Sequence, residues 1–510
     1  MTGAANTLTA SSGVALNVSA TTIGAAGMTF RSVSSGAGAN VGISLDDTGN
    51  LAGLTVTGTG SAGSGGTING KTGADGSLTA GIGIFLRDTR SPSFSWMQLN
   101  DFENFAIRGF RVNGLTLSNS VVNSLASGTS RNGNSDVQNE GSVAFGEEPD
   151  VPALGSPAIN GLTGAVTIAN CVIEDGFENN FKISNTSGSL APFSMTATTI
   201  RNTSTASPGN NGLEFRYSGN AGLDATITGS TFTANRSNAI QFSSLQSFTG
   251  SANLQVGAES TPGSGSTFSD NNIGVNIANG GTGSVNFGVH RGTFTTAGYA
   301  GTIGAGGASS QININMAAPS SPGLAGGPMS GSLTQNNINN ANSTTGPGMR
   351  IVANGTDGDG SNVVTVRVVN NTISQVANRG IEVLTRDGNA TINATIRGNS
   401  VQLTDPSAAD AIFVVAGATS TAVGTGLPDS GTVNLDAADN DANTSVGFGI
   451  RVRQRFSSTY RLEQYAGLAA DDAAVVAYLL ARNPLSAGFS ADHTAAGSAG
   501  FLTTASVPEP

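Results

Sequence analysis

The chain is poor in charged and aromatic residues and contains a single cysteine. Of its 510 residues, 11% are charged and 5% are aromatic, and 22 Lys and Arg face 33 Asp and Glu, for a net charge of −11. A nucleic-acid-binding protein needs a basic face, so this balance argues against that class. Cys171 has no second cysteine, which excludes an internal disulfide framework and a cysteine-based metal site. No run of about 18 apolar residues occurs, so we predict no membrane-spanning helix.

Glycine, by contrast, is abundant. The 72 glycines are about twice the usual share of ~7%. Short stretches of alternating apolar and polar residues fill most of the chain, and Gly, Asn and Asp separate them. Gly and Asn tolerate the positive φ angles that tight corners require. Hydrophobic content is ordinary at 37%, which argues against disorder. The composition therefore predicts many short strands joined by tight turns.

The strands recur in a fixed order. Residues 365–415 contain three short strands in succession, after which the same order restarts, so that Asn399 repeats the position of Asn371. One apolar-x-apolar pair marks each repeat, at a mean spacing of about 34 residues. The pairs run from Ile43/Leu45 through Ile82/Ile84, Ile107, Val143/Phe145, Phe181/Ile183 and Leu213/Phe215 to Ile412/Val414 and Phe448/Ile450. This pattern is typical of a parallel β-solenoid. An array of β-sandwiches is the alternative, but its domains would repeat at ~100 residues.

We therefore predict an all-β fold: a right-handed parallel β-helix of about 13 coils with a C-terminal helical cap. Residues 1–24 form an N-terminal lead-in or a further coil, and residues 25–457 form the β-helix, with a loop insertion near 131–157. Residues 458–485 form the cap, an amphipathic helix that starts at Asp471 or Asp472 and ends before a proline. Residues 486–510, rich in Ala, Gly, Ser and Thr, are predicted to be a flexible tail.

The coils resemble right-handed parallel β-helices of the pectate-lyase-like type. The resemblance rests on NNTI at 370–373, NRGIEVL at 378–384 and NATINATIRGNSV at 389–401. Gly/Thr/Asn-rich bacterial surface proteins, including autotransporter passengers and large adhesins, carry similar coils, and residues 449–484 resemble an end-piece of repetitive bacterial exoproteins. The resemblance implies a secreted or cell-surface location, with the signal and anchor outside this chain. It does not imply one activity, because such β-helices include lyases, hydrolases, ice binders and inert stalks.

Acidic and basic residues occupy equivalent positions in the middle coils. We expect Glu174 to stack beside Arg201, Asp175 beside Asn202, and Lys182 beside Glu214. Such a strand face resembles the carbohydrate groove of β-helix lyases, in which a cation and an Arg or Lys base act on a uronate. The catalytic candidates are Glu174, Asp175, Arg201 and Glu214, and the ligand-binding candidates are Lys182, Arg216, Arg236, Gln241, Asn276 and Trp96. The competing interpretation, which we favour, is ordinary cross-strand pairing worth about 0.2–1 kcal/mol per pair.

Other motifs are less specific. The polygalacturonase-like pattern of paired Asp residues with Gly-His-Gly is absent, and His290 reads as a strand or turn residue. Trp96 suits either sugar stacking or packing inside a coil. Thr-rich runs such as residues 55–60 would indicate ice binding if a Thr-x-Thr ladder continued on every coil, and the sequence does not keep one.

Two acidic turns are candidate calcium sites. Asp357 and Asp359 alternate with glycine, and Asp436, Asp439 and Asp441 form a second cluster. Alternating oxygen donors with glycine are found in calcium loops, although the bidentate Glu of such loops is missing here. An Asp/Gly turn without metal is the alternative interpretation. Calcium is therefore the one cofactor that the sequence suggests.

These observations predict an extracellular or cell-surface structural or adhesion protein that presents loops, contacts surface glycans and is not catalytic. A polysaccharide lyase or glycoside hydrolase, with its groove over the middle coils, is the first alternative. The second is a subunit of an extracellular filament that assembles end to end with further copies, because an uncovered sheet edge can pair with another molecule.

Overall fold

The computed structural model describes residues 5–125, 131–147, 160–203, 210–297, 310–316, 326–339, 346–355, 362–418, 429–494 and 500–510. The described residues fold into two compact units, 1–241 and 242–510, each built almost entirely from short strands. Among these residues, no helix has the length and apolar character needed to cross a membrane.

The strands of the first unit average only a few residues. They are β1 (Thr7–Ala10), β2 (Leu16–Ser19), β3 (Met28–Phe30), β4 (Ser32–Ser35), β5 (Val41–Asp46), β6 (Leu54–Val56), β7 (Gly66–Lys71), β8 (Ile82–Arg87), β9 (Ser93–Ser95), β10 (Met97–Phe102), β11 (Phe105–Phe110), β12 (Val112–Ser118), β13 (Val121–Asn123), β14 (Gly141–Phe145), β15 (Leu162–Ala169), β16 (Val172–Glu174), β17 (Phe181–Asn185), β18 (Ser189–Thr196), β19 (Thr199–Arg201), β20 (Leu213–Tyr217), β21 (Gly222–Thr228) and β22 (Thr231–Thr233), with β23 (Asn238–Ser244) at the unit boundary.

The second unit continues with strands of similar length and contains the helix. Its elements are β24 (Ser251–Val256), β25 (Thr267–Asn271), β26 (Ile273–Asn279), β27 (Ser284–His290), β28 (Thr293–Ala297), β29 (Ile312–Met316), β30 (Met329–Thr334), β31 (Asn337–Asn339), β32 (Met349–Asn354), β33 (Val363–Val369), β34 (Thr372–Ser374), β35 (Ile381–Arg386), β36 (Thr391–Arg397), β37 (Ser400–Leu403), β38 (Ile412–Ala416), β39 (Thr432–Ala438), β40 (Asp441–Thr444), β41 (Ile450–Gln454), β42 (Thr459–Glu463), α1 (Asp472–Arg482), β43 (Phe489–His493) and β44 (Phe501–Thr504).

The strands form three parallel sheets. The first sheet takes every third strand from β1 to β40, the second takes every third strand from β2 to β41 and then β43, and the third takes every third strand from β3 to β42 and then β44. The chain thus visits the three sheets in a fixed order and adds one strand to each sheet per coil. This arrangement confirms the predicted parallel β-helix solenoid.

The sheets contain 14, 15 and 15 strands, slightly more than the predicted 13 coils. The additional first coil lies in the segment predicted as a lead-in or a further coil, where Leu16 and Val18 of β2 pair with Ile43 and Leu45. Two predicted registers were also wrong, since Ile43 pairs with Ile84 and not with Ile82, and Ile412 pairs with Ile450 and not with Phe448. Strand β8 has apolar residues at positions 82, 84 and 86, so the sequence alone allowed two alignments of β8 with β5.

The coil interior is lined by apolar side chains that alternate with outward residues. In the second sheet, Ile84, Ile107 and Val143 are stacked on successive coils and are at most 1% exposed. The weakest predicted coil, at Ile107, has Gly109 opposite Phe145, where a Cβ atom would clash with the phenyl ring. A large side chain on one coil is therefore accommodated by glycine on its neighbour, as close packing requires.

The corners between the third and first sheets carry a buried amide ladder in the second unit. Asn336, Asn371, Asn399, Asn440 and Asn483 occupy equivalent positions and are 0–1% exposed. The Oδ1 of each of the last four accepts hydrogen bonds from the backbone N–H and the Nδ2 of the preceding Asn, at 2.9–3.1 Å. Each Nδ2 also donates to a backbone carbonyl, for example Asn399 to Val368. The ladder thus satisfies polar groups that the corners bury.

The same corner in the first unit uses smaller side chains. Ser120, Cys171, Thr198 and Ser230 follow residues such as Asn119 and Asn170, which have positive φ angles. The backbone N–H of Cys171 donates to Thr198 Oγ1, and that of Thr198 donates to Ser230 Oγ. The thiol of Cys171 is 2% exposed and donates to the carbonyls of Leu117 and Ala169. The single cysteine is therefore one member of a corner ladder.

The predicted helix is present, but the chain beyond it differs from the prediction. Helix α1 begins at the N-cap Asp471, whose Oδ1 accepts from Ala474 N at 2.9 Å, and it buries Val475 and Leu479. The tail predicted as flexible contains two strands: β43 pairs with β41, and β44 pairs with β42. Phe501 drives the second pairing, since its buried ring packs 5.1 Å from Tyr460. The strands were not predicted because the segment is rich in small residues and has few of the apolar residues that mark a strand.

We predict that Asn399→Ala lowers the free energy of unfolding by about 1–3 kcal/mol, because two buried N–H donors of Asn371 lose their shared acceptor. The urea midpoint measures the effect. Asn286→Ala, an exposed position on β27, is the matched control and should stay within about 0.5 kcal/mol. Equal destabilisation by both variants would contradict a structural role for the ladder.

We also predict that the Cys171 thiol resists alkylation in the folded protein. Burial raises the pKa of this thiol to about 11, so the reactive thiolate is scarce at pH 8. Mass spectrometry after iodoacetamide treatment should show no adduct in buffer and full modification in urea. Rapid labelling of the native protein would disprove the placement of Cys171 in the corner.

Candidate functional site

In chain order, the longest connections come directly before or after a strand of the second sheet in both units. In the first unit they are 72–81, 124–140, 146–161 and 202–212, and in the second unit they are 298–311, 317–328, 340–348 and 417–431. The connection from the third to the first sheet is one or two residues long in most coils, the exceptions being 57–65 and 257–266. The insertion predicted near 131–157 is interrupted by β14, a strand of the second sheet.

Two of these connections form a fixed layer over the second sheet, which we call the platform (residues 72–81 and 131–140). Glu140 is fully buried and holds both parts: its carboxylate accepts from the backbone N–H groups of Gly76, Asn134 and Ser135, each at 3.0 Å. Burial raises the pKa of Glu140, and the three N–H donors oppose that rise. Asn104 adds a bond to the Ala74 carbonyl. The platform is therefore held by directed hydrogen bonds.

Beneath the platform lies an apolar cluster outside the coil interior. Its buried members are Val41, Ile82, Phe85, Phe105, Phe110 and Ala144, and Leu78 of the platform packs against them. Arg108 lies within this layer, with its guanidinium 4.9 Å from the Phe105 ring centre and 4.3 Å from that of Phe110. Burial lowers the pKa of Arg108 to about 10, while the charges of Glu147 and Glu140 act in the opposite direction. The outer face of the sheet thus carries a second core.

Lys182 and Glu214 stand opposite each other on β17 and β20, as the sequence predicted. They are not displayed on a surface groove, however, because they are only 5% and 4% exposed. Lys182 Nζ lies 3.9 Å from Glu214 Oε2 and 3.4 Å from Asn139 Oδ1 of the platform. This pair therefore supports the edge of the platform.

The remaining ligand-binding candidates do not converge on one site. Arg216 lies opposite Ser184 on β20, and Arg236 lies in the turn before β23, where its backbone N–H donates to Thr203. Gln241 accepts from Asn238 Nδ2 at 2.6 Å in the first unit. Asn276 belongs to the second unit, where it accepts from Asn313 Nδ2 at 2.8 Å. Asn276 is thus bonded to the next coil, whereas Gln241 is bonded within its own strand.

The catalytic candidates Glu174 and Arg201 are opposite each other and form an ion pair. The hydrogen bond from Arg201 to Glu174 raises the pKa of the guanidinium. Asp175, at a positive φ of 62°, accepts from Ser124 N at 3.1 Å and from Arg131 Nη1 at 3.2 Å. Burial raises the pKa of Asp175, and Arg131 opposes that rise. Asp175 and Arg131 thus connect the first sheet to the platform. Glu174 and Arg201 form an ordinary cross-strand ion pair, as the competing interpretation predicted.

The second unit repeats the apolar outer layer without the same residues. Val352, Leu384, Phe413 and Val415 form a buried cluster on the second sheet. The Arg379 guanidinium lies 4.0 Å from the Phe413 ring centre, and Arg379 and Arg350 both pair with Glu382. Sequence analysis missed this layer in both units. The sequence does contain a sign of this outer layer. Aromatic or branched residues stand at positions such as Phe85 and Phe413, where strand alternation predicts outward polar side chains.

Trp96 is half-buried at a corner rather than displayed on a face. It follows β9 with a positive φ of 61°, and its side chain packs against Gly58. Its backbone N–H donates to the Ser118 carbonyl and its carbonyl accepts from Gly65. This position is the corner that precedes the Ser120 ladder. The indole therefore packs against the neighbouring corner at Gly58 and is not enclosed inside the coil.

The calcium candidates are placed apart from one another. Asp436 is 1% exposed and its carboxylate pairs with Arg397 and Arg482, while Asp441 Oδ1 accepts from Asn443. Asp439 occupies the positive-φ corner before Asn440. Within the described ranges, no group of three or more His, Cys, Asp or Glu side chains is arranged to hold a metal ion. Asp357 and Asp359 lie outside the described residues.

Comparison with protein-family models, with curated proteins and with solved structures finds no match to this chain.

We predict that protonation of His290 destabilises the second unit. His290 is 4% exposed with Nδ1 2.8 Å from Thr334 Oγ1, and burial lowers its pKa below 6.5, with smaller effects from Glu259, Arg367 and Arg291. A lowered imidazole pKa means that stability is complete above about pH 6.5 and is lost as pH falls through that value. The urea midpoint should therefore fall as the pH is lowered from 7.5 to 5.5, and part of this fall should come from His290.

The matched measurement uses His290→Gln, which keeps a polar group and cannot titrate. Its midpoint should change less over the same pH interval than that of the wild-type protein. If both proteins lose stability equally, other groups account for the pH dependence and the prediction is wrong.

Proposed function

We propose that this protein is an extracellular or cell-surface β-solenoid scaffold that presents its platform to a carbohydrate partner and does not act as an enzyme. The observation that carries the proposal is the fully buried Glu140 carboxylate, which ties two separate connections into one layer above the second sheet. A preorganised surface loses less conformational entropy on binding than a mobile loop does.

The position of the platform supports the same conclusion. Binding residues commonly lie on loops that a rigid scaffold positions. Here the longest connections come before or after strands of one sheet in chain order, and Leu78 of the platform packs on the outer apolar layer of that sheet. Polar groups at the accessible side include Asp136 and Asn134, and Val137 is 68% exposed at the same place. An apolar contact framed by hydrogen-bonding groups suits a sugar ring with its hydroxyls.

The charged residues considered as catalytic candidates support a structural role. Glu174 pairs with Arg201, Lys182 faces Glu214, and Asp175 is held by Arg131. Lys182 and Glu214 are nearly inaccessible to a polymer. Lyase or hydrolase activity and end-to-end assembly are the two alternatives, and the experiment below distinguishes them.

The test is binding of the full chain to a glycan array and to immobilised bacterial surface polysaccharides. The wild-type protein should bind at least one glycan class. Glu140→Ala should weaken that binding by about tenfold, since it releases both parts of the platform. Asn286→Ala, an exposed position on β27 that lies outside the platform, is the control and should bind normally. Protection of Cys171 from alkylation reports whether each variant keeps the solenoid.

A second variant separates contact from folding. Val137→Asp alters only an exposed side chain, and it should reduce glycan binding without shifting the urea midpoint. Absence of binding to every glycan would overturn the adhesion function. Release of new sugar ends from a bound polysaccharide would assign an enzyme instead, and particles that lengthen with protein concentration would assign a filament subunit.

A further inference from the structure

The outer face of the third sheet in the first unit carries a continuous row of hydroxyl side chains. On each of seven successive coils, the same position is Ser or Thr, and neighbouring members are directly paired across the sheet. The row consists of Thr29, Thr55, Ser93, Thr116, Thr167, Ser194 and Thr226. Its members alternate with inward residues such as Leu117 and Ile168, so the hydroxyls point away from the coil interior.

A second row runs beside the first, two residues further along each strand. It consists of Thr57, Ser95, Ser118, Ala169, Thr196 and Thr228. We call the two rows the hydroxyl array. Five of these six successive coils therefore read Thr/Ser-x-Thr/Ser, and the sixth has Ala169 in the second row. Unequal connection lengths and the exchange of Thr for Ser conceal the array until the register is known.

The hydroxyls of the first row remain available for binding. In the part of the chain that the structure describes, none of them makes a side-chain hydrogen bond to another protein group, and all are at least partly exposed. Hydroxyls at the corner behave differently, since Ser120 and Thr198 both bond to backbone. Each free hydroxyl offers one donor and two acceptor positions. The first row therefore presents unpaired groups at regular intervals.

The array is regular in two directions and carries no charge. Parallel strands place successive coils about 4.8 Å apart, and residues two apart on one strand are separated by about 6.6 Å. The register shifts in this sheet occur before the array, at Asn113/Leu115, Gly164/Val166 and Leu190/Phe193, so both rows stay in register. The corners that follow β9, β12, β15 and β18 are one or two residues long, and the longer connection 57–65 follows β6 near one end of the array.

This geometry restricts the kind of partner. The hydroxyl groups repeat on every coil, so only a periodic partner can bind all of them at once. Each hydroxyl adds little to the affinity alone, and tight binding requires many of them to bind together. The array has methyl and hydroxyl groups but no aromatic ring for stacking on sugars and no charge for an ionic polymer. Ordered water meets these conditions, because its oxygens form a lattice with a similar repeat and can donate to and accept from every hydroxyl. We propose that the hydroxyl array binds the surface of ice.

The proposal is independent of the platform, which lies over a different sheet. Two assays with the full chain test the proposal. The first measures the gap between the melting and freezing temperatures of a seeded ice crystal in the protein solution. The second measures how much protein is incorporated into slowly growing ice. The wild-type protein should slow ice growth and enter the ice phase. Thr167→Tyr and Thr226→Tyr each place an aromatic ring above an exposed position of the array. Both the temperature gap and the incorporation into ice should fall by about tenfold, because the ring holds the neighbouring hydroxyls away from the ice surface.

The matched control is Thr372→Tyr, an exposed position on the first sheet of the second unit, which should behave like wild type. Urea midpoints of all variants report on folding. Exclusion of the wild-type protein from ice, or equal incorporation of the array variants and wild type, would overturn the proposal. Binding to microcrystalline chitin or cellulose in place of ice, with the same sensitivity to the variants, would assign the array to a polysaccharide surface and would also overturn it.

Discussion

The fold depends on the satisfaction of buried backbone groups where the chain leaves the third sheet. A coil turns there within two residues, which buries N–H and carbonyl groups that no strand pairs. The stacked Asn336, Asn371, Asn399, Asn440 and Asn483 satisfy these groups from coil to coil, and smaller side chains including Cys171 do so in the first unit. Because each side chain serves the adjacent coil, the ladder fixes the register of all three sheets at once.

A fixed register has different consequences for the three outer faces. At the second sheet, tolerance of inserted residues allows long connections, and an outer apolar layer around Phe85 and Phe110 holds the platform. At the third sheet of the first unit, the short corners leave a flat face on which equivalent residues repeat, and Thr and Ser form the hydroxyl array. Charges are few and are paired along the stack, as with Glu174 and Arg201, since like charges on successive coils would repel.

Much of this architecture could be predicted from the sequence because the coil repeat is local. Apolar alternation and Asn corners revealed the parallel solenoid, the strand neighbours Glu174 with Arg201 and Lys182 with Glu214, and the helix that begins at Asp471. The candidate site was predicted less well. Exposure of Lys182 and Glu214 depends on whether residues 131–140 fold over them, and that contact joins segments about 40 residues or more apart. The strands at Phe489 and Phe501 were hidden by a small-residue composition for the same reason.

The sequence by itself determined the class of fold, since period-two strands separated by Gly and Asn turns at a steady coil length bury a continuous core only when the coils stack. Tertiary structure alone decided which outward residues become covered and which rows line up across coils. Glu140 acquires its three N–H donors, and Thr167 its neighbours Thr116 and Ser194, only after register and insertion lengths are fixed in space. Those relations depend on non-local contacts, which no local pattern encodes.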